Sequence, residues 1–130
     1  MDEAPFIDVR QKKTTATASV GEWQIEWALE NCSSRALEIT SIAVPHGQFK
    51  ASPANFAPPL KVKPNGSAWF STCVWCNEPP GLVTENAFLV FEGRWGDQPT
   101  RLFARVRVDM AKDNGPVVKL QSDRKSTRLN

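Results

Sequence analysis

The chain has 130 residues, of which 41% are hydrophobic and 23% charged. This is the composition of one globular domain and not of a disordered segment. No apolar run approaches the ~18 residues of a membrane span, and the acidic start, residues 1–5, lacks a following apolar block and so predicts no signal peptide.

Alternation of apolar and polar residues predicts β-strands along much of the chain. It is clearest in segments 23–29, 37–44 and 102–108, which each have one apolar and one polar face. In 37–44 the alternation changes phase after Ile39, which predicts a β-bulge near Ser41. No helical periodicity of useful length is present.

Segments 68–75 and 87–91 are apolar on both parities and are predicted to be central strands or strands with both faces covered. Tryptophans are concentrated in the predicted strands, and we expect four of them to be buried in the core. These four are Trp23, Trp27, Trp69 and Trp75. Trp95, which precedes a turn, is the tryptophan that we expect to be exposed.

Turn signals separate the strands at roughly 8–12-residue spacing, which is typical of an antiparallel sandwich of about seven strands. Residues 96–99, Gly-Asp-Gln-Pro, predict a hairpin between segments 88–95 and 100–108. Segment 51–59 contains three prolines and is predicted to be a loop or an edge strand, because proline cannot donate to a sheet ladder.

The last eight residues, 123–130, resemble the frame translation of a common short-read sequencing adapter. We therefore expect the gene to have been cut near Ser122 in an unfinished or metagenomic assembly, with a real basic tail as the alternative. The expected organisation is a sandwich domain at 1–110, an extended or disordered tail at 111–122 and an artefact at 123–130.

Removing the adapter-like segment changes the charge of the chain. Of 16 basic and 14 acidic residues, three basic and one acidic residue lie in 123–130, so that 13 of each remain. A basic isoelectric point was the only global indication of a nucleic-acid or anionic-membrane partner. Because residues 1–122 carry no net charge, we expect neither a nucleic-acid partner nor an anionic membrane.

The segment from Phe49 to Val108 carries a pattern of its own. Its components are Pro58-Pro59-Leu60, the run from Val62 to Ser67 before the apolar strand 68–74, Pro80-Gly81, Asn86–Phe91 and Phe103–Val108. Together with the strand 23–29 and its continuation through Leu37 and Ile39, this pattern resembles the immunoglobulin-like sandwiches of the abnormal-spindle/hydin and major-sperm-protein type.

The resemblance covers roughly residues 20–108 and implies an all-β, immunoglobulin-like antiparallel sandwich of about seven strands. It also implies a module with no active site; we further expect no metal, no cofactor and a domain that is monomeric. Such a module binds a protein partner or spaces domains within a longer bacterial protein.

Residues 73–76 form a Cys-x-x-Cys motif, and Cys32 is the third cysteine. A redox motif needs its first cysteine at a helix N-terminus, whereas zinc generally needs a second cysteine pair or histidines. Structural thiols are therefore the first interpretation, with a thiol or metal site at Cys73 and Cys76 as the alternative. An odd cysteine count favours reduced thiols and a cytoplasmic setting. His46, within Pro-His-Gly, is interpreted as a turn residue and not as a general base.

The predicted final hairpin concentrates arginines beside a tryptophan. One interpretation is a docking face for an acidic partner, and the other is a solvated face neutralised by Glu85 and Glu92. Binding by β-strand addition at an exposed edge is an equal possibility, and a carbohydrate-binding module would instead need two exposed coplanar tryptophans. The candidate binding residues are Arg94, Trp95, Arg101, Arg105 and Arg107.

Overall fold

The computed structural model describes residues 4–112 and 115–121; the adapter-like segment 123–130 lies outside the described residues. Within these ranges every regular element is a β-strand. The strands are β1 Ile7–Ala16, β2 Glu22–Asn31, β3 Leu37–His46, β4 Phe49–Val62, β5 Ser67–Trp75, β6 Val83–Trp95, β7 Gln98–Ala111 and β8 Gly115–Leu120. No helix in the described ranges is long and apolar enough to cross a membrane.

The strands form one antiparallel sheet in the order β1-β2-β5-β4-β3-β6-β7-β8. The sheet curls until it is nearly barrel-shaped. The prediction of an all-β antiparallel fold is confirmed, with eight strands in the described ranges. The eighth, β8, lies in the segment 111–122 that was expected to be an extended or disordered tail, and it pairs with β7 over six residues.

The sheet has a weak join between β4 and β5. Among the described residues these two strands pair at one position, Lys50 with Trp75. Along its other edge β4 pairs with β3, but the pairing is interrupted between Asn55 and Leu60, inside the proline-containing segment that the sequence predicted to be a loop or edge. The sheet is thus divided into a smaller part, β1-β2-β5, and a larger part, β4-β3-β6-β7-β8.

At the opposite seam, the side chain of Gln11 joins β1 to β8. The Gln11 amide nitrogen donates to the Pro116 carbonyl oxygen at 2.9 Å, and its amide oxygen accepts from the Val118 N–H at 2.8 Å. A primary amide presents an N–H donor and a C=O acceptor side by side, as the N–H and C=O of one strand residue do at a sheet edge. Gln11 therefore replaces a rung of backbone pairing between the two terminal strands.

The alternating strands bury the faces that the sequence predicts. In β2 the buried side chains include Ile25, Trp27 and Leu29, and in β7 they include Leu102 and Val106. The buried rings of β2 and β5 stack across the ladder, with the centroids of Trp27 and Phe70 6.2 Å apart. The Trp27 indole N–H donates to the buried Thr72 hydroxyl at 2.8 Å, so that this core carries a satisfied polar pair.

The expectation for three tryptophans was wrong. Trp69 is 57% exposed and Trp75 42% exposed, whereas Trp95 is only 4% exposed. Because β5 is apolar on both parities, periodicity alone does not say which face is inside; pairing with β2 places Phe70 opposite the buried Trp27 and turns Trp69 outward. Trp95 lies opposite Leu37 and enters the core with it.

Two local predictions are confirmed. The β3 register shifts between Ile39 and Ser41 against both neighbouring strands, which is the expected bulge. The final hairpin closes through Gly96 and Asp97, with Trp95 opposite Gln98 and Gly96 at a φ of 59°. A positive φ at a two-residue turn is the geometry that glycine adopts without strain.

Candidate functional site

The structure brings three of the predicted arginines to one surface, the outer face of β7. Arg101, Arg105 and Arg107 alternate with buried side chains of the same strand, as the period-2 pattern predicts. Arg94 lies on the outer face of β6 near the turn. We call the outer face of β6 and β7 that carries these four arginines the hairpin face.

An aromatic pair that the sequence analysis missed lies at the centre of the hairpin face. The rings of Phe88 and Phe103 meet edge to face, with centroids 5.9 Å apart and an interplanar angle of 68°. Both side chains are only partly buried, and Phe103 lies opposite Val90 in the ladder. The available signal was Phe103 itself, an apolar residue on the polar parity of an alternating strand.

Each arginine of the hairpin face has a local partner. Two of them form ion pairs, Arg101 with Glu92 at 2.8 Å and Arg107 with Asp109 at 2.9 Å. The hydrogen bond and charge of Asp109 raise the pKa of Arg107 further above its usual value. Exposed ion pairs of this kind contribute little to stability, so a competing carboxylate could replace these partners.

Arg94 and Arg105 each contact a neutral oxygen acceptor. Arg94 donates to the Asp97 carbonyl oxygen at 2.5 Å. Arg105 lies 3.5 Å from the Asn86 side-chain oxygen. Asn86 has a φ of 60° and lies where the register of β6 shifts against β7. The irregularity of β6 thus places an amide beside Arg105.

Trp95 is separated from the hairpin face because its side chain points into the core. Its indole N–H donates to the Ser33 hydroxyl at 2.8 Å. A guanidinium lies over this ring, but it belongs to Arg35 and not to an arginine of the hairpin, with Cζ 4.9 Å from the ring centroid. Sequence reasoning missed Arg35 because it lies in the loop between β2 and β3, far from the hairpin in the chain.

The two cysteines of the Cys-x-x-Cys motif point in different directions. Cys73 is exposed on the outer face of β5, whereas Cys76 is buried with its sulfur 3.9 Å from that of Met110. Burial, and secondarily the charge of Glu78, raises the pKa of Cys76 to about 11. Within the described ranges all three cysteines are free thiols, and no group of three potential metal ligands occurs. His46 lies at the β3–β4 turn, where its Nδ1 accepts the Gln48 N–H at 3.0 Å.

A second exposed surface is the outer face of β1, β2 and β5. It carries Trp69 and Trp75 on β5, with Ala28 of β2 opposite Trp69 and Glu22 opposite Trp75. The Lys12 ammonium lies 5.8 Å from the centroid of the Trp69 ring. We call this surface the aromatic platform.

A cleft of about 430 Å³ opens beside the aromatic platform, where β4 begins and β5 ends. Its walls include Glu22, Lys50, Cys73 and Trp75. This volume lies in the range of small-molecule sites. The cleft marks the place where β4 and β5 separate after their single paired position.

No protein-family model and no curated protein matches this chain. The functional assignment therefore rests on the hairpin face and the aromatic platform. Shape, exposed aromatic groups and charge distinguish the kinds of partner that each surface suits.

Proposed function

We propose that this chain is an immunoglobulin-like module without catalytic activity that binds a protein partner as part of a longer bacterial protein. The strand order supports the immunoglobulin-like part of this proposal. Constant-type immunoglobulin sheets have the orders ABED and CFG. With β1 to β7 lettered A to G, the order in this chain reads A-B-E-D-C-F-G, followed by β8.

The observation that carries the binding proposal is the composition of the hairpin face. A partly exposed pair, Phe88 and Phe103, is surrounded by arginines on the two strands. Interfaces between proteins are enriched in aromatic residues and arginine, with an apolar centre and a polar rim. The hairpin face has this arrangement, whereas a merely solvated sheet face needs no aromatic centre.

The partner that fits is a protein surface with an apolar side chain and carboxylates around it. The apolar group would cover the two phenylalanine rings. The carboxylates would take over Arg101 and Arg107 from Glu92 and Asp109, at little cost because those pairs are exposed. A module that only spaces domains would have no such ligand. A measurement of ligand binding therefore distinguishes a binding module from a spacer.

Selection of random peptides displayed on phage against the immobilised chain tests the proposal. We expect the selected peptides to combine acidic residues with an aromatic or aliphatic residue. Arg105→Glu combined with Arg107→Glu should weaken peptide binding by about tenfold or more, the effect of ~1.4 kcal/mol, without lowering the thermal midpoint. Arg101→Glu, at a side chain that is 51% exposed, provides a second variant that leaves the core untouched.

The matched control is Lys12→Glu combined with Lys13→Glu, which reverses two charges on the opposite face. This control should leave peptide affinity unchanged. Peptides that bind all charge-reversal variants as tightly as the wild type would refute the assignment of the hairpin face. Failure to select any peptide would support a spacing role instead.

A further inference from the structure

Two of the five tryptophans differ from the others in how they are held. The indole N–H groups of Trp23, Trp27 and Trp95 each donate to an oxygen of the protein. Within residues 4–112 and 115–121, the indole N–H groups of Trp69 and Trp75 have no protein acceptor. Since tryptophan usually satisfies this donor when it is buried, these two side chains present an apolar ring and a donor to solvent.

Polar groups fill the space between the two exposed rings. Along β5 the outward side chains between them are Ser71 and Cys73, and the ladder places Glu26 opposite Ser71 and Gln24 opposite Cys73. Ser71 and Cys73 are much smaller than tryptophan, and Gln24 and Glu26 end in hydrogen-bonding groups. The platform is therefore two aromatic surfaces separated by a row of donors and acceptors.

The spacing and the charge of the platform limit what it can bind. Trp69 and Trp75 are six residues apart on one strand, or about 20 Å at ~3.3 Å per residue, so they do not form one contiguous apolar patch of the kind that marks a protein interface. The charged side chains of this face are nearly balanced. They are Asp8, Glu22, Glu26 and Glu30 against Arg10, Lys12 and Lys13.

Single-stranded nucleic acid also stacks on aromatic rings, but it needs a positively charged groove along its backbone. The balanced charge of the platform does not supply one. Arg10 is moreover paired with Asp8 at 2.9 Å on the same face. A long, uncharged ligand with both apolar and hydrogen-bonding surfaces fits better.

We propose that the aromatic platform binds a linear, neutral polysaccharide. A sugar ring has an apolar face of C–H groups, which stacks on an indole, and a rim of hydroxyl groups, which hydrogen-bond to carboxylates and amides. Trp75 and Trp69 stack on two separate sugars of one chain, with the Lys12 ammonium moving off the Trp69 ring to make room. Gln24 and Glu26 bond to hydroxyls between them. This site is independent of the hairpin face and lies on the other part of the sheet.

The cleft next to Trp75 supports this assignment. Glu22 and Trp75 belong to both the platform and the cleft, so the platform continues into a concave site at one end. The end of the Trp75 ring lies close to Gly21, since its Cη2 would be 3.2 Å from a Cβ at that position.

Native affinity electrophoresis of the full chain tests the proposal. The gels contain hydroxyethylcellulose, xylan or galactomannan as neutral polymers, or polygalacturonate as an acidic one, and oligothymidylate is tested in solution. We expect at least one neutral polymer to retard the wild-type chain. Trp69→Ala and Trp75→Ala should each weaken that binding about tenfold or more, the effect of ~1.4 kcal/mol.

Phe103→Ala is the control variant, because it removes an aromatic ring from the opposite face; it should weaken peptide binding and leave retardation by the polymer unchanged. Trp75→Phe keeps a ring and should retain most of the binding. In the wild type, the polymer should protect the exposed tryptophans from quenching by acrylamide.

Three results would overturn the proposal. They are no retardation by any neutral polymer, equal retardation of the wild type and both alanine variants, and binding confined to polygalacturonate or oligothymidylate. None of them bears on the peptide selection, so the two proposals fail separately.

Discussion

The side chain that closes the sheet offers the sharpest test of the fold. Gln11→Ala removes both hydrogen bonds between β1 and β8, the one donated to Pro116 and the one accepted from Val118. We expect the variant to fold with a substantially lower free energy of unfolding. The change also removes the hydrogen bond that the Gln11 amide nitrogen donates to the Thr14 hydroxyl within β1. It leaves the other strands and their ladders intact.

The magnitude follows from the burial of the two backbone groups. Pro116 is buried and Val118 is 9% exposed. Two lost hydrogen bonds cost about 2 kcal/mol if water replaces the amide, and about 4 kcal/mol if the carbonyl and N–H stay unpaired. Small domains have only ~5–15 kcal/mol of stability in total. At about 4 °C per kcal/mol for a domain of this size, the thermal midpoint should fall by roughly 8–16 °C.

Urea unfolding followed by tryptophan fluorescence measures the effect. Gln24→Ala is the matched control, since Gln24 is exposed on β2 and its side chain has no hydrogen-bond partner among the described residues. The control should change stability by less than ~0.5 kcal/mol. A Gln11→Ala variant as stable as this control would refute the conclusion that the amide joins the two terminal strands.

Gln11→Glu tests the same contact through pH. The introduced carboxylate still accepts from Val118 but faces the Pro116 carbonyl oxygen without a proton to donate. Only its protonated form restores both bonds, so folding raises the pKa of this carboxyl above its unfolded value. The stability gained by protonation is therefore full below the unfolded pKa and is lost as pH rises through the folded pKa. Relative to Gln24→Glu, the variant should recover stability as pH falls; no recovery would count against the geometry.

Two further predictions concern the cysteines and a glycine. With a thiol reagent at pH 8, the exposed Cys73 should react in the folded chain and Cys76 only after unfolding, because Cys76 is buried and its pKa is raised to about 11. Desolvation and Glu22 also raise the pKa of Cys73, so its reaction should be slower than that of a free thiol. Cys73→Ser should remove this phase and leave that of the partly exposed Cys32, and reaction of Cys76 in the folded chain would contradict its position. Gly93→Ala should destabilise the chain by several kcal/mol in thermal unfolding, since a Cβ there would lie 1.8 Å from the Glu38 carbonyl oxygen. The control is Gly47→Ala, which should be nearly neutral because a Cβ at Gly47 would have no atom within 4 Å. Similar thermal midpoints for the two variants would contradict this prediction.

The strands with one polar face could be predicted because their alternation of apolar and polar residues shows which face is exposed to water. β2 and β7 have the predicted boundaries within a few residues and bury the predicted parity. The bulge near Ser41 could be predicted for the same reason, since an inserted residue changes the phase of the alternation. The hairpin turn at Gly96 could be predicted from the local sequence Gly-Asp-Gln-Pro at residues 96–99.

The candidate sites could be predicted only in part. The outward arginines of β7 follow from period 2, but the aromatic pair between Phe88 and Phe103 joins two strands and becomes visible only once their register is known. The exposure of Trp69 and Trp75 was predicted wrongly for a different reason, since a platform of exposed tryptophans was only the alternative to their burial. Both parities of β5 are apolar, so burial of Trp69 and exposure of Phe70 would have suited the pattern equally well.

By itself, the sequence determined the β class of the fold, the positions of most strands, the bulge and the hairpin, because these depend on residues close together in the chain. Only the tertiary structure decided which face of β5 is exposed, where Trp95 lies, and how the sheet closes. Those outcomes depend on pairing between distant residues: Trp95 meets Ser33 62 positions away, and Gln11 meets Val118 107 positions away. Local periodicity carries no information about such partners, and the two tryptophans of the platform are exposed because the inner face of β5 packs against β2 and the core.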